Sequence, residues 1–241
     1  MTYNIHSCRG FDKKISPERI ARVIAGYEPD IVALQEVDVG KLRSGGIDQA
    51  REIAGFLKMF CHFHPSLNIE EEFYGNAVLS RFSLQMVKAD RLPGIKRKPG
   101  LEPRSAIWVK IDVEGIRVNF INTHLGLRRP ERCRQADLLT GSRWLANREC
   151  DCPVILGGDL NSQPRSYVYR RFQRLLRDAQ WRIKGEREKP TWPSRLPFNR
   201  IDYLFVSDGI EVKSVQVPRT GLTRTASDHL PLIADIIVHK R

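Results

Sequence analysis

Apolar runs of strand length recur along this chain, and several end abruptly in acidic, amide or histidine side chains. The runs "PDIVALQEVD" and "PVILGGDLN" are continuous rather than alternating, which is typical of strands buried on both faces. Other segments have helical spacing; in "SPERIARVIAGY", Ser16 and Pro17 form a helix start. Buried strands interspersed with amphipathic helices predict an α/β fold in which both faces of the sheets are covered.

The middle and end of the chain are rich in predicted strands. The strand-like runs are "GNAVLSRF", "SLQMVKADRL", "RSAIWVKIDVE", "IRVNFINTHLG", "RIDYLFVS", "IEVKSVQVP" and "LPLIADIIVH", with a hairpin turn at Gly115. Further helices are predicted at 48–59, in "RPERCRQADLLTGSRWLANR" and in "SYVYRRFQRLLRDA". Since no repeat or linker divides the sequence, we expect one domain over residues 1–241, with two mixed sheets packed face to face between helical layers.

The composition bears on where the protein is located and on whether its cysteines bind a metal. The chain has 241 residues, of which 41% are hydrophobic, and none of its apolar segments has the length of a membrane-spanning helix. Because "MTYNIHSCRG" lacks the apolar core of a signal peptide, we expect a cytoplasmic protein. The five cysteines show no C-x-x-C spacing, so we expect ordinary thiols, with a catalytic cysteine as the less favoured alternative.

The net charge of +12 indicates an anionic partner. Excess positive charge favours polyanions, either nucleic acid or an anionic membrane surface. An arginine-rich surface without such a role is an equally weighted explanation. The segments "LPGIKRKPGLEP" and "KGEREKPTWPSRLPF" are rich in proline, glycine and charge, and we expect them to form surface loops.

Polar residues at the predicted strand ends form a set suited to phosphoester chemistry. They are Asn4, Gln35, Glu36, Asn122, His124, Asp159, Asn161, Asp202, Asp228 and His229. Folding brings strand ends together, which is the usual place for sites in sheet-based folds. Glu36 and Asp228 are hard oxygen donors suited to Mg²⁺ or Mn²⁺, and His124 and His229 can contact a phosphate or transfer protons. The set predicts metal-assisted phosphoester hydrolysis.

Each of these residues has an ordinary structural explanation when it is taken alone. Asp159 and Asn161 follow two glycines, and such a pair more often simply forms a turn, since both side chains bond nearby backbone. The other histidines (His6, His62, His64 and His239) are interpreted as structural or surface residues without a role. It is the combination and order of the polar residues that favours a site.

The order and spacing of these motifs resemble those of the endonuclease/exonuclease/phosphatase superfamily. The matching motifs are "TYNI", "LQEVD", "YGNAVLSR", "NTHLG", "GGDLNSQP", "RIDYLFVS" and "SDHLPL", which together cover nearly the whole chain. The resemblance implies a four-layer α/β sandwich, with two mixed β-sheets flanked by helices and the site at one edge of both sheets. It also implies cleavage of a phosphoester with a divalent metal, Mg²⁺ or Mn²⁺.

The resemblance further implies a role for each motif residue. The implied metal ligands are Glu36, Asn4 and Asp228. The implied catalytic residues are Asp159, His229, Asp202, His124 and Asn161. The implied substrate-binding residues are Arg104, Asn161 and His124. In this assignment Asp159 positions or activates the attacking water, while Asp202 holds His229 charged against the phosphate. Arg104 in "EPRSAIW" would clamp the phosphate, and Gly157 and Gly158 would let backbone and substrate approach closely.

Four functions compete for this site. The leading hypothesis is a metal-dependent nuclease acting on DNA as a monomer, with Lys96, Arg97 and Lys98 following the backbone. The second is a phosphodiesterase of phospholipid headgroups, whose loop residues Leu92, Ile95, Trp192, Leu196 and Phe198 would contact the membrane interface. The third is a phosphatase of small molecules. A binding module without catalysis is disfavoured, because the site residues are all present.

Overall fold

Two mixed β-sheets, packed face to face, form the centre of the computed structural model. The structure describes residues 1–95, 101–151, 153–182 and 188–239, so the predicted contacts of Lys96, Arg97 and Lys98 lie outside the described residues. The strands are β1 (Thr2–Asn4), β2 (Ile31–Val39), β3 (Phe60–Ile69), β4 (Glu72–Ser80), β5 (Leu84–Arg91), β6 (Ser105–Val113), β7 (Ile116–His124), β8 (Val154–Asp159), β9 (Arg177–Asp178), β10 (Asp202–Val206), β11 (Ile210–Gln216) and β12 (Ile233–Val238). The helices are α1 (Pro17–Ala25), α2 (Gln49–Leu57), α3 (Arg129–Leu139), α4 (Tyr167–Gln173) and α5 (Gly221–Ala226).

The strand order places the ends of non-adjacent sequence segments side by side. The first sheet has the order β1-β2-β4-β3 and the second has the order β5-β6-β7-β8-β10-β9. The pairs β1–β2 and β7–β8 are parallel. Strands β11 and β12 form a separate antiparallel pair, and Leu232, just before β12, forms a bridge with Thr2 of the first sheet. Both parallel pairs therefore present their carboxyl ends at one edge of the sandwich.

Three apolar clusters hold four layers together. One packs α1 and α2 against the first sheet, with Ile20, Ile53 and Leu34 buried in it. A second lies between the sheets. The third packs α3 and α4 against the outer face of the second sheet, around Trp108 and Phe205. This arrangement confirms the predicted four-layer α/β sandwich.

Local signals placed most elements correctly, and tertiary contacts changed the others. Ser16 caps α1 and Asp48 caps α2, as their positions predict. The long helix predicted through "RPERCRQADLLTGSRWLANR" ends at Leu139, because Gly141 weakens the helix and Trp144 turns back to pack at 6.4 Å from Trp108.

Two further differences concern the helix in "SYVYRRFQRLLRDA" and strand β3. That helix ends at Gln173, after which Arg177–Asp178 form β9, where Asp178 is buried and binds Arg200. Strand β3 was not predicted, because it is largely half-buried and shows no alternation of apolar and polar residues. None of the described helices is long and apolar enough to cross a membrane.

A buried amide links the two sheets beside the site edge. On β7, Asn122 Nδ2 donates to the carbonyl oxygens of Leu34 and Ala77 in the opposite sheet, both at 2.8 Å. Asn122 Oδ1 accepts from Gln35 Nε2 at 2.7 Å. Every polar atom of this side chain is thus used to satisfy groups of the first sheet that lie away from water.

Candidate active site

The predicted residues converge at the edge where the parallel pairs end. In the sheet register, Asn4 lies opposite Gln35, and Asp159 lies between His124 and Asp202 on its two neighbouring strands. Side chains that are far apart in the sequence therefore lie within hydrogen-bonding distance of one another. The predicted residue set is brought together at this edge.

A β-bulge directs Glu36 into the site. The pairing of β2 with β4 shifts register between Leu34 and Val37, and Glu36 there has a φ of 57°. A left-handed conformation is unusual for a non-glycine residue and is stabilised by surrounding contacts. The amide of Asn122 supplies such contacts, because it binds Leu34 and Gln35 immediately before the bulge.

Glu36 and Asp228 form the candidate metal centre. Asn4 Nδ2 donates to Glu36 Oε1 at 2.9 Å. Carboxylate oxygens of Glu36 and Asp228 lie 3.7 Å and 3.3 Å from the same atom, Nδ1 of His6. The two carboxylates converge at a partly exposed position and offer the hard oxygen donors that Mg²⁺ or Mn²⁺ prefers. The Asn4 amide orients Glu36 with its nitrogen, while its oxygen accepts from the backbone N–H of His6. These residues therefore fit a divalent cation.

A second cluster lies deeper, with Asp159, Asp202 and His229 offering ligand atoms within 4.8 Å of one another. Here His229 Nδ1 lies 2.8 Å from Asp202 Oδ2, which also accepts from Thr191 Oγ1. Burial opposes the charged form of His229, but the carboxylates of Asp202 and Asp159 outweigh it and raise its pKa. Since Asp202 and His229 satisfy each other, we interpret this cluster as a proton-holding pair rather than as the metal centre.

Asp159 occupies the centre of the arrangement. Its Oδ2 lies 3.1 Å from Asn4 Nδ2, 3.4 Å from His124 Nε2 and 3.7 Å from His229 Nε2. Its Oδ1 accepts from the backbone N–H of Asn161 at 2.8 Å, which holds Asn161 at a φ of 47°. Burial and the charge of Asp202 raise the pKa of Asp159. A carboxylate with a raised pKa is suited to accept a proton near neutral pH.

Arg104 lies behind His124 and is buried, with 4% of its surface exposed. Its Nη1 lies 3.2 Å from His124 Nδ1 and 3.4 Å from the hydroxyl of Tyr74. Because arginine only donates, Nδ1 of His124 accepts and the proton of the neutral ring resides on Nε2. This engagement of Nη1 favours a positioning role for Arg104 over the predicted direct clamp on the phosphate.

The glycines before Asp159 serve the protein rather than a substrate. Gly158 has a φ of 153°, and a Cβ at this position would lie 1.9 Å from the carbonyl oxygen of Thr123 on β7. A Cβ at Gly157 would meet Leu204 at 3.2 Å and Ala33, in the opposite sheet, at 3.4 Å. These glycines therefore allow the strands and sheets to pack closely, rather than admitting the substrate as expected.

Sequence reasoning missed several contacting residues. His6 was given no role, yet its ring lies between Glu36 and Asp228. Ser227 Oγ donates to the carbonyl oxygen of Asn4 at 2.8 Å and so ties β1 to the segment that carries Asp228. Ser227 was visible in the "SDHLPL" motif, whereas no pattern around His6 pointed to the site.

His124 is expected to make stability fall in mild acid. Burial, with the charges of Arg104 and His229, lowers the pKa of His124 well below its usual value. The unfolded chain therefore gains a proton at this histidine as the pH falls through about 6.5, while the folded chain does not. Between about pH 7.5 and about pH 5.5, the wild type should lose about 1 kcal/mol more unfolding free energy than His124→Gln does.

Urea unfolding at both pH values measures this difference. His239→Gln, which changes an exposed histidine, serves as the control and should keep the wild-type pH dependence. Equal pH dependence in His124→Gln and the wild type would contradict the assignment of a neutral His124.

Comparison with known proteins identifies the family of the chain. The model of the Endonuclease/Exonuclease/phosphatase family matches residues 1–229. An endonuclease/exonuclease/phosphatase from Bacteroides vulgatus is similar in structure, with a TM-score of 0.79 at 21% identity over 99% of this chain and 97% of that one.

Two other similar structures carry more specific names. A mannosyl-6-phosphatase from Bacteroides thetaiotaomicron has a TM-score of 0.75 at 20% identity, covering 98% of both chains. The human nocturnin catalytic domain, with a bound sulfate anion, has a TM-score of 0.72 at 23% identity over 98% of this chain and 92% of that one. No curated protein matches the sequence significantly. The match over residues 1–229 shows that the chain belongs to the endonuclease/exonuclease/phosphatase family.

Proposed function

We propose that this phosphoesterase is a divalent-metal-dependent nuclease that cleaves DNA. The observation that carries the proposal is the number of exposed arginines in the segments that carry site residues. Exposed arginines lie within nine residues of a site residue on each of five site segments: Arg9, Arg43, Arg128, Arg129, Arg165 and Arg195. A single small phosphate needs few such groups, whereas a nucleic-acid backbone offers a phosphate to many of them.

The proposed reaction is hydrolysis of a phosphodiester by water. Glu36 and Asp228 would hold Mg²⁺ or Mn²⁺, which would supply charge neutralisation at the phosphate, and Asn4 would orient Glu36. Asp159 accepts a proton from the attacking water, and charged His229, held by Asp202, stabilises the developing negative charge. Asn161 Nδ2 donates to the Leu125 carbonyl oxygen at 2.9 Å, which holds this side chain beside His124, and both would contact the phosphate.

A phosphatase acting on small phosphomonoesters is the second candidate. The observation that favours it is the similarity in fold to the mannosyl-6-phosphatase. The chemistry at Asp159 and His229 is the same for either substrate, so the two candidates differ in what binds outside the phosphate site. The exposed arginines in the segments that carry the site residues favour a polyanion.

Replacement of Glu36 by glutamine tests the proposed function. The wild type should nick plasmid DNA in Mg²⁺ or Mn²⁺ and be inactive in EDTA, and Glu36→Gln should lower the rate by about 10²-fold, because it removes a charged ligand. Glu52→Gln on α2 is the matched control and should keep full activity. If DNA stays intact while mannose 6-phosphate is hydrolysed rapidly, the nuclease proposal is wrong and the phosphatase is favoured.

A further inference from the structure

An open groove of about 500 Å³ lies on one side of the candidate site. Its lining includes Pro164, Arg165, Glu188, Pro190, Phe198 and Arg200. The described residues that form it come from two segments, 163–165 and 188–200, neither of which supplies an assigned catalytic group. None of the steps proposed for phosphodiester hydrolysis therefore involves a residue of this groove.

The two segments that line the groove are connected to the candidate site. One wall continues the turn that carries Asn161, two residues before Gln163. The other wall is tied to the opposite side of the site: Trp192 Nε1 donates to Asp228 Oδ2 at 3.3 Å, and the backbone N–H of Ser194 donates to the Asp228 carbonyl at 2.7 Å. A group that occupies the groove would thus be attached close to the scissile phosphate.

Phe198 offers an aromatic face in this groove. It is 68% exposed, which is unusual for a phenylalanine, and it contacts the Trp192 ring edge-on at 6.0 Å. A ring that is held on one side and open on the other is suited to stacking, and stacking on aromatic side chains is how proteins hold single-stranded bases.

Arg200 adds a buried positive charge at the groove wall. It is only 3% exposed, Nη2 binds Asp178, and its guanidinium lies 4.9 Å from the centre of the Tyr203 ring. Its Nη1 has no hydrogen-bond partner within the described part of the chain and lies 3.7 Å from Glu188 Oε2. The buried guanidinium therefore lends positive charge to the groove wall, and the Glu188 carboxylate offers a hydrogen-bond acceptor there.

We propose that this groove, formed by Phe198, Arg200, Glu188 and Arg165, holds an unpaired nucleobase next to the scissile phosphate. The proposal rests on the proposed nuclease function and narrows its substrate to single-stranded or locally unpaired nucleic acid. A base within a duplex has no free face for Phe198, because its neighbours occupy both sides. Exposed Arg165 lies on the same rim, where it can contact an adjoining phosphate.

Binding of two strands that differ only in their bases tests the proposal. Fluorescence anisotropy in EDTA compares a short oligothymidylate with an abasic strand of equal length and charge. The wild type should bind oligothymidylate more tightly. Phe198→Ala should weaken that binding about tenfold and leave the abasic strand unchanged, because a lost stacking contact affects only the base. Phe198→Tyr should retain the wild-type affinities.

Leu196→Ala is the matched control, since Leu196 is 77% exposed on the same segment but does not line the groove. Equal affinity of the wild type for both strands overturns the proposal. So does loss of binding to anionic vesicles in Phe198→Ala with oligothymidylate binding intact, which would assign the ring to a lipid surface. Cleavage of the oligothymidylate and of plasmid DNA in Mg²⁺ separates the two proposals. Cleavage of either substrate with equal strand affinities removes only the groove, whereas absence of cleavage of both substrates removes the nuclease function.

Discussion

Asp159→Asn is expected to lower kcat for DNA cleavage by about 10³-fold with little change in KM. The substitution keeps the size and shape of the side chain, which is buried and contacts Asn4, His124 and His229. An amide cannot accept the proton that Asp159 is proposed to take from water. Because the lost proton transfer occurs only in the transition state, the substitution should not weaken substrate binding.

Steady-state kinetics of the purified variant measures this effect. Asp137→Asn changes an exposed carboxylate on α3 and serves as the control, with wild-type kinetics expected. A kcat within tenfold of the wild type in Asp159→Asn would show that another group accepts the proton.

Asn122→Ala is expected to lower the free energy of unfolding by about 4 kcal/mol. It removes three hydrogen bonds and leaves the carbonyl oxygens of Leu34 and Ala77 and the amide of Gln35 without their partner between the sheets. A buried polar group that loses its partner costs about 1–3 kcal/mol. These groups precede the bulge at Glu36, so activity should fall together with stability.

Urea denaturation followed by fluorescence measures the loss. Asn68→Ala, at an exposed position on β3, should change stability by no more than about 0.5 kcal/mol. A loss of less than about 1 kcal/mol in Asn122→Ala would mean that water replaces the amide between the sheets.

The site residues that could be predicted from the sequence are those that end a recognisable strand-like run. Glu36, Asp159 and His124 each end an apolar run, so their place at a sheet edge follows from the chain around them. His6 reaches the site through a left-handed turn, with φ values of 47° at His6 and 51° at Ser7. Neither residue is a glycine, so the sequence carries no sign of that turn.

Contacts between distant segments were the other part that the sequence did not reveal. The bond from Asn122 to Leu34 joins residues 88 positions apart. The bond from Ser227 to the carbonyl oxygen of Asn4 joins residues 223 positions apart. These pairings depend on how the two sheets and their loops meet, which the periodicity of individual segments does not encode.

The position of Asp159 also determines how substitutions will combine. One oxygen atom, Oδ2, faces Asn4 on the metal side, His124 on the phosphate side and His229 in the proton-holding pair. Groups that act through a shared atom are energetically coupled, so their effects do not add. Once Asp159 is asparagine, a second change at His124 or His229 should cost far less than it does alone. In a double-mutant cycle the three partners of this oxygen therefore behave as one catalytic unit.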